Sequence, residues 1–138
     1  TVLLRCYSTV QLWFANKGKK QVFVFSEIND RSLSLAKSLK DTTIDLRIMY
    51  IHWGTEYQLT HNAYQQGVGQ WLADLGIDLI IGGHPHVVQD YQILTAEDGR
   101  RVPVVYSLGN LVSNQRWKDS NGGIMAMVDI SRQMFFQW

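Results

Sequence analysis

Gly76-Ile77-Asp78-Leu79-Ile80-Ile81-Gly82-Gly83-His84-Pro85-His86 is the stretch whose reading decides the fold. The apolar run from Ile77 to Ile81 predicts a β-strand covered on both faces, as in a parallel sheet. Gly82 and Gly83 then turn the chain at positive φ or let its backbone approach something closely. Ligands of open α/β sheets collect beyond the carboxyl ends of strands, where this turn falls. His84 and His86, two apart across Pro85, project to the same side if the segment is extended. A buried strand thus leads into a pair of imidazoles.

Working upstream, Ile44 to Ile51 predicts a second strand, ending at His52-Trp53-Gly54. Between the two strands, Thr60 is the expected N-cap of a helix from His61 to Leu75, with Leu59 placed to staple onto Tyr64. Tyr64, Val68, Trp71, Leu72 and Leu75 form its expected apolar face, and Gly76 its left-handed stop. Gly67 and Gly69 each weaken a helix by about 1 kcal/mol relative to Ala, which suggests close packing there. Strand, helix and strand make a βαβ unit, expected to be parallel and right-handed. Topology alone then carries His52 and His84 to one edge of the sheet.

The flanks are less legible. Thr1 to Tyr7 and Val10 to Phe14 have strand bias, Asn16 to Lys20 is a turn signal, and Gln21 to Phe25 is a clearer strand. A helix is expected from Asn29 or Asp30 to near Lys40, with Leu33, Ala36 and Leu39 as its stripe. Downstream, Val87 to Leu94 and Val102 to Tyr106 read as strands joined by the polar turn Thr95 to Arg101. Ser107 to Asn110 is a strand exit, Asn114 to Gly123 a polar loop, Ile124 to Ile130 a last strand, and Met134 to Trp138 a packed end. The fold class is α/β, a mixed sheet with flanking helices in a single domain over residues 1–138.

With 138 residues, 46% hydrophobic, 18% charged and a net charge of +1, the composition is that of a globular domain. Near-neutral, scattered charge argues against nucleic-acid binding and against a polybasic membrane surface. No apolar run approaches the ~20 residues of a membrane span. One cysteine, Cys6, excludes an internal disulfide framework. Thr1 to Tyr7 lacks the features of a signal peptide, and the start at Thr1 suggests a processed chain or a piece of a longer one.

His52, His84 and His86 all fall in strand-exit turns, and three convergent imidazoles can hold Zn, Mn, Fe or Ni. The alternative is three structural histidines bonded within their turns. His61, at a helix start, reads as an ordinary surface residue. Glu56 suits a carboxylate that orients an imidazole, a substrate contact, or a solvated loop acid. Ser107 and Asn110 sit where a hydroxyl and an amide could bind a substrate oxygen, though Ser-x-Gly-Asn is also plain turn chemistry. Trp53, Trp71 and Trp117 read as core or rim aromatics. No nucleophile elbow, P-loop or dinucleotide fingerprint is present, and no residue is assigned a catalytic role.

Four motifs occur in order: His52-Trp-Gly-Thr-Glu-Tyr57, Gly76 to Gln89 with its Gly-Gly-His-Pro-His turn, Val105-Tyr-Ser-Leu-Gly-Asn110, and Asn121-Gly-Gly-Ile124. Together they strongly resemble the CapA family, poly-γ-glutamate capsule biosynthesis proteins of the calcineurin-like metallophosphoesterase superfamily. The resemblance is best over Ile44 to Ile130. It implies part of a metallophosphoesterase-like mixed α/β sandwich with a dinuclear metal centre at the strand ends. His52, His84 and His86 would be ligands to a divalent transition metal (Mn, Fe or Zn), and Glu56 and Asn110 would line the substrate pocket. A polyanionic polymer or phosphoester is the implied substrate, and the cell surface or export the implied location. The superfamily's early Asp, Gly-Asp and Asn-His motifs are not found. The chain is therefore expected to be the C-terminal part of such a protein, binding metal weakly or not at all and showing little turnover. The alternatives are a non-enzymatic surface or assembly component that binds polymer through a degenerate site, and a site completed by another copy in an oligomer.

Overall fold

The computed structural model describes Val10–Asn16, Lys19–Phe25, Ser34 and residues 44–129. Its strands are β1 (Val10–Asn16), β2 (Lys19–Phe25), β3 (Leu46–His52), β4 (Leu79–Gly83), β5 (Tyr91–Thr95) and β6 (Arg101–Val105), with one described helix of length, α1 (Ala63–Asp74). They build a mixed sheet ordered β2-β1-β3-β4-β6-β5. β4 lies parallel between β3 and β6, and antiparallel neighbours close both flanks. The α/β class and the parallel β3-α1-β4 unit are as the sequence predicts. The expected strands at Thr1 to Tyr7 and the end at Met134 to Trp138 lie outside the described residues. So does the expected helix to Lys40, except for Ser34, which is helical.

Period-2 alternation sorts the central strands onto two buried faces. Met49 and Ile51 of β3 and Ile80 of β4 join Leu72, Ala73, Ile77, Val102, Val104 and Tyr106 in one cluster. Tyr50, Leu79 and Ile81 form a second cluster, with Ile48 and Leu108 packed against it. Every residue of β4 is buried, which is why its sequence shows no polar alternation.

β4 begins two residues later than the apolar run suggests. Ile77 N–H donates to Leu72 O at 3.1 Å and Asp78 N–H to Arg47 O at 2.9 Å, so both are occupied in joining the helix end to the sheet. Asp78 also accepts from Arg47 N at 2.8 Å and from Arg100 Nη1 at 3.1 Å. Arg100 spans this end of the molecule, reaching Ala73 O at 2.8 Å and Ile77 O at 3.1 Å. Its charge-assisted bonds hold the last carbonyls of α1 to the sheet, at the end opposite the histidines.

Gly82 and Gly83 belong to the strand rather than to a turn. Gly82 is needed for close approach: a Cβ there would overlap Tyr106 O and Trp53 Nε1. The positive φ values fall on the residues after it, His84 and His86.

The helix starts at Asn62, not Thr60. Asn62 Oδ1 accepts from Gln65 N at 2.9 Å while Gln65 Oε1 accepts from Asn62 N at 3.0 Å, a complete capping box. Thr60 has Ala63 three residues on and cannot form one. With the cap moved, Leu59 and Tyr64 no longer occupy staple positions and are 54% and 61% exposed. The buried face is Gln65, Gly69, Leu72 and Ala73, flanked by half-buried Val68 and Trp71. Gly69 is closely packed, since a Cβ there would meet Leu94 at 3.5 Å and Trp53 at 3.6 Å. Gly67 is not: nothing lies within 4 Å. Gly67→Ala is therefore expected to raise stability by about 0.5–1 kcal/mol in urea denaturation, with an unchanged m-value.

Of two expected strands, one is shortened and the other is absent from the described residues. Pairing of β5 with β6 begins at Tyr91, and of Val87 to Asp90 only Val88 makes a bridge, to Leu108. Residues 124–129 are not a strand. Gly109 pairs with Gly123 and Ile124 N–H reaches Leu108 O at 2.9 Å, but Gly109, at φ +69°, bends the partner away before a ladder can extend. Ile130 lies outside the described residues. No helix among the described residues is long and apolar enough to cross a membrane.

Candidate functional site

Parallel pairing sets His52 beside Gly83, so β3 and β4 leave the sheet together. Trp53 N–H donates to Gly83 O at 3.0 Å and Tyr57 N–H to Pro85 O at 2.8 Å. The loop carrying Glu56 is thereby joined to the loop carrying His84 and His86. The His52 and His84 rings lie 4.2 Å apart, and those of His84 and His86 5.9 Å apart. Glu56 Oε1 is 3.8 Å from His86 Nε2.

The donor atoms of Glu56, His84 and His86 all lie within 4.8 Å of one another. Two imidazoles and a carboxylate could hold a divalent transition metal such as Zn, Mn or Fe. His52 stands beside this set rather than in it. Its Nδ1 is the one buried side-chain N or O without a partner among the described residues. Burial, and then the neighbouring His84 and His86, make His52 harder to protonate than a free histidine, with Glu56 opposing.

The turns are strained. Tyr57 at φ 63°, His84 at φ 102° and His86 at φ 60° hold left-handed backbone without being glycine, at about 1–3 kcal/mol each. Two networks hold them. The buried Gln89 donates from Nε2 to Gln58 O at 2.8 Å and Thr60 O at 3.1 Å, and its Oε1 accepts from Gln65 Nε2 at 2.8 Å. One side chain thus ties both loops to the helix start.

The second network contains His61, which is not the ordinary surface residue its position suggests. Its ring stacks on buried Tyr106 at 3.9 Å and 9°, and its Nδ1 lies 2.9 Å from each carboxylate oxygen of Asp90. Burial works to raise the Asp90 pKa, but the hydrogen bonds from His61 outweigh it and hold that carboxyl below its usual range. Trp53 stacks on Tyr106 at 5.7 Å and donates Nε1–H to Tyr106 O at 2.9 Å.

Asn110 Oδ1 lies 3.1 Å from His86 Nδ1, while its Nδ2 reaches Gln115 Oε1 at 2.8 Å and Ser120 O at 2.9 Å. Ser107 is buried and its Oγ accepts from Gly109 N at 3.2 Å, which is turn chemistry. Tyr57 lies 6.1 Å from the His86 ring and 6.1 Å from that of Trp117, forming an aromatic wall. Trp53 is core and Trp117, 68% exposed, is rim. Sequence reasoning missed Gln65, Gln89 and Asp90, although the Asn62–Gln65 box was a usable sign for the first.

Residues 8–115 match the family described as bacterial capsule synthesis protein PGA_cap. The match begins well upstream of Ile44, so β1 and β2 fall within the family's pattern, and it ends before Ile130. Against the capsule biosynthesis protein CapA of Bacillus anthracis the chain is 36% identical over 93 residues, covering 65% of this chain and 21% of that protein. Against the PGA biosynthesis protein CapA of Bacillus subtilis (strain 168) it is 34% identical over 73 residues, 53% of this chain and 18% of that one. The aligned part is thus about a fifth of either relative's length. A family match over most of the chain, with both histidine turns inside it, leads to one assignment: the chain belongs to the bacterial capsule synthesis protein family PGA_cap, the family of CapA.

Proposed function

We propose that this protein serves capsule polymer synthesis or export and carries, where β3 and β4 end, a metal-assisted hydrolase-type site of the metallophosphoesterase kind. The convergence of the Glu56, His84 and His86 donors within 4.8 Å carries the reading. Glu56, His84 and His86 would hold a divalent transition metal there, which would supply Lewis-acid chemistry. His84 and His86 would offer imidazole nitrogens to that metal, and Glu56 a carboxylate oxygen. His52, its ring 4.2 Å from that of His84, adds an unpartnered nitrogen to the same edge. Tyr57 and Trp117 wall the side on which a substrate would lie. A polyanionic polymer or a phosphoester is the substrate class, and the cell surface or export the setting, since the relatives are named for capsule and PGA biosynthesis. Among the described residues one such donor group is present, which suits one metal rather than two.

Metal binding is the test. Adding Zn²⁺ or Mn²⁺ to the purified, metal-stripped protein is expected to stabilise it by about 2.7 kcal/mol at a hundredfold excess over Kd. His84→Ala and Glu56→Gln should each remove most of that shift. Little phosphodiesterase turnover is expected from this chain by itself. A protein that arrives without transition metal and shows no shift is instead a polymer-binding or assembly component with a degenerate site.

A further inference from the structure

We infer that Asn110 is a positioning residue: it fixes His86 as the Nδ1–H tautomer and so leaves Nε2 as the lone-pair nitrogen facing Glu56. The metal site proposed above gives this selection its use, but the selection itself follows from hydrogen-bond direction alone.

Ser120 O is a backbone carbonyl and can only accept, and Asn110 Nδ2 lies 2.9 Å from it. The amide nitrogen must therefore be on that side, which rules out the flipped orientation of the side chain. The second Nδ2 hydrogen goes to Gln115 Oε1 at 2.8 Å, and Gln115 in turn reaches Tyr57 OH at 3.4 Å. Both donors of Asn110 are thus committed away from the histidine. Its Oδ1, an acceptor, is what lies 3.1 Å from His86 Nδ1. Nδ1 must carry the hydrogen, and in a neutral imidazole Nε2 then holds the lone pair.

Nε2 is also the nitrogen 3.8 Å from Glu56 Oε1. A lone-pair nitrogen this close to a carboxylate oxygen suits a cation shared by the two, the use the proposed metal site would make of it. The backbone holds Asn110 in place, because Asn110 N–H donates to Gly122 O at 3.0 Å and Gly109 bridges Gly123. The amide therefore acts as a fixed stop against which the His86 ring is set. Asn110 touches the Nδ1 of His86 and not Nε2, so its effect on a metal held at Nε2 passes through the His86 ring.

Tautomers are read directly by long-range proton–nitrogen correlation on ¹⁵N-histidine-labelled, metal-free protein, at a pH where imidazoles are neutral. The His86 signals are assigned by their loss in His86→Asn. The wild type is expected to show His86 with hydrogen on Nδ1. Asn110→Ala should release it, so that the Nε2–H form appears, and should weaken Zn²⁺ binding about 10–100-fold. Asn110→Asp keeps an acceptor against Nδ1 but loses both donors, and should retain the Nδ1–H form. If Asn110 only props the segment through Gln115 and Ser120, Asn110→Asp will behave like Asn110→Ala. An Nε2–H His86 in the wild type, or a tautomer unchanged in Asn110→Ala, overturns the inference. Absence of Zn²⁺ binding by the wild type would count against the metal site and leave the tautomer result standing.

Discussion

Gly82→Ala is expected to cost about 3–5 kcal/mol, a large share of the roughly 5–15 kcal/mol that holds an ordinary domain folded. The new methyl group would enter the space of Tyr106 O and Trp53 Nε1. Neither can yield cheaply. Tyr106 O belongs to the backbone next to β6, and Trp53 is 3% exposed and stacked on the Tyr106 ring. Moving either breaks the buried Trp53 Nε1–H to Tyr106 O bond of 2.9 Å, adding an unsatisfied donor to the overpacking. Gly82 O also accepts from Leu108 N at 3.3 Å, so a strand shift disturbs the approach to Asn110. Urea denaturation monitored by tryptophan fluorescence reads the change. A loss below about 1 kcal/mol would mean that the strand relaxes and that the contact is not rigid. Gly67→Ala, with the opposite expected sign, is the matched control.

Gln89→Leu should cost about 2–4 kcal/mol, because it strands polar groups rather than removing apolar ones. Gln65 Nε2 is left without its acceptor in a fully buried site. Gln58 O and Thr60 O also lose their donor, but both residues are exposed and water can reach them. The larger consequence falls on the loop that carries Glu56, which loses its tie to the helix start. Calorimetry should therefore show a lower Tm together with weaker Zn²⁺ binding. A double-mutant cycle separates this cause from simple volume change: Gln65→Leu combined with Gln89→Leu should cost less than the two single losses added together. Strict additivity would show that the two amides do not work as a pair.

The central unit was legible because its signals are local. Apolar runs at Ile44 to Ile51 and Ile77 to Ile81, and a helical pattern between them, are enough to specify parallel strands with His52 and His84 at one edge. The chain hid whatever depends on distant partners. Nothing near His61 announces Asp90, which lies 29 residues away, and Gln89 looks like a loop residue until Gln65 and Gln58 are beside it. Glu56 joins His84 and His86 through long-range bonds such as Tyr57 N–H to Pro85 O, which no local pattern announces. Ile124 to Ile130 has the composition of a strand, but a strand also needs a neighbour, and the bend at Gly109 withdraws it from the described part, residues 124–129. The Thr60 cap failed for a nearer reason: a hydroxyl two residues early lost to an amide whose reciprocal partner, Gln65, was in register.

The left-handed backbone of His84 and His86 sets stability against the proposed metal binding at two positions. Glycine would suit either φ better and would also delete an imidazole. A directed-evolution screen that rewards heat resistance alone would thus be drawn toward glycine at 84 and 86, discarding the donors as it improved the scaffold. A screen that also demands metal retention would be barred from both. Thermostable descendants of this protein will have to gain their margin elsewhere, with Gly67 an open place to begin.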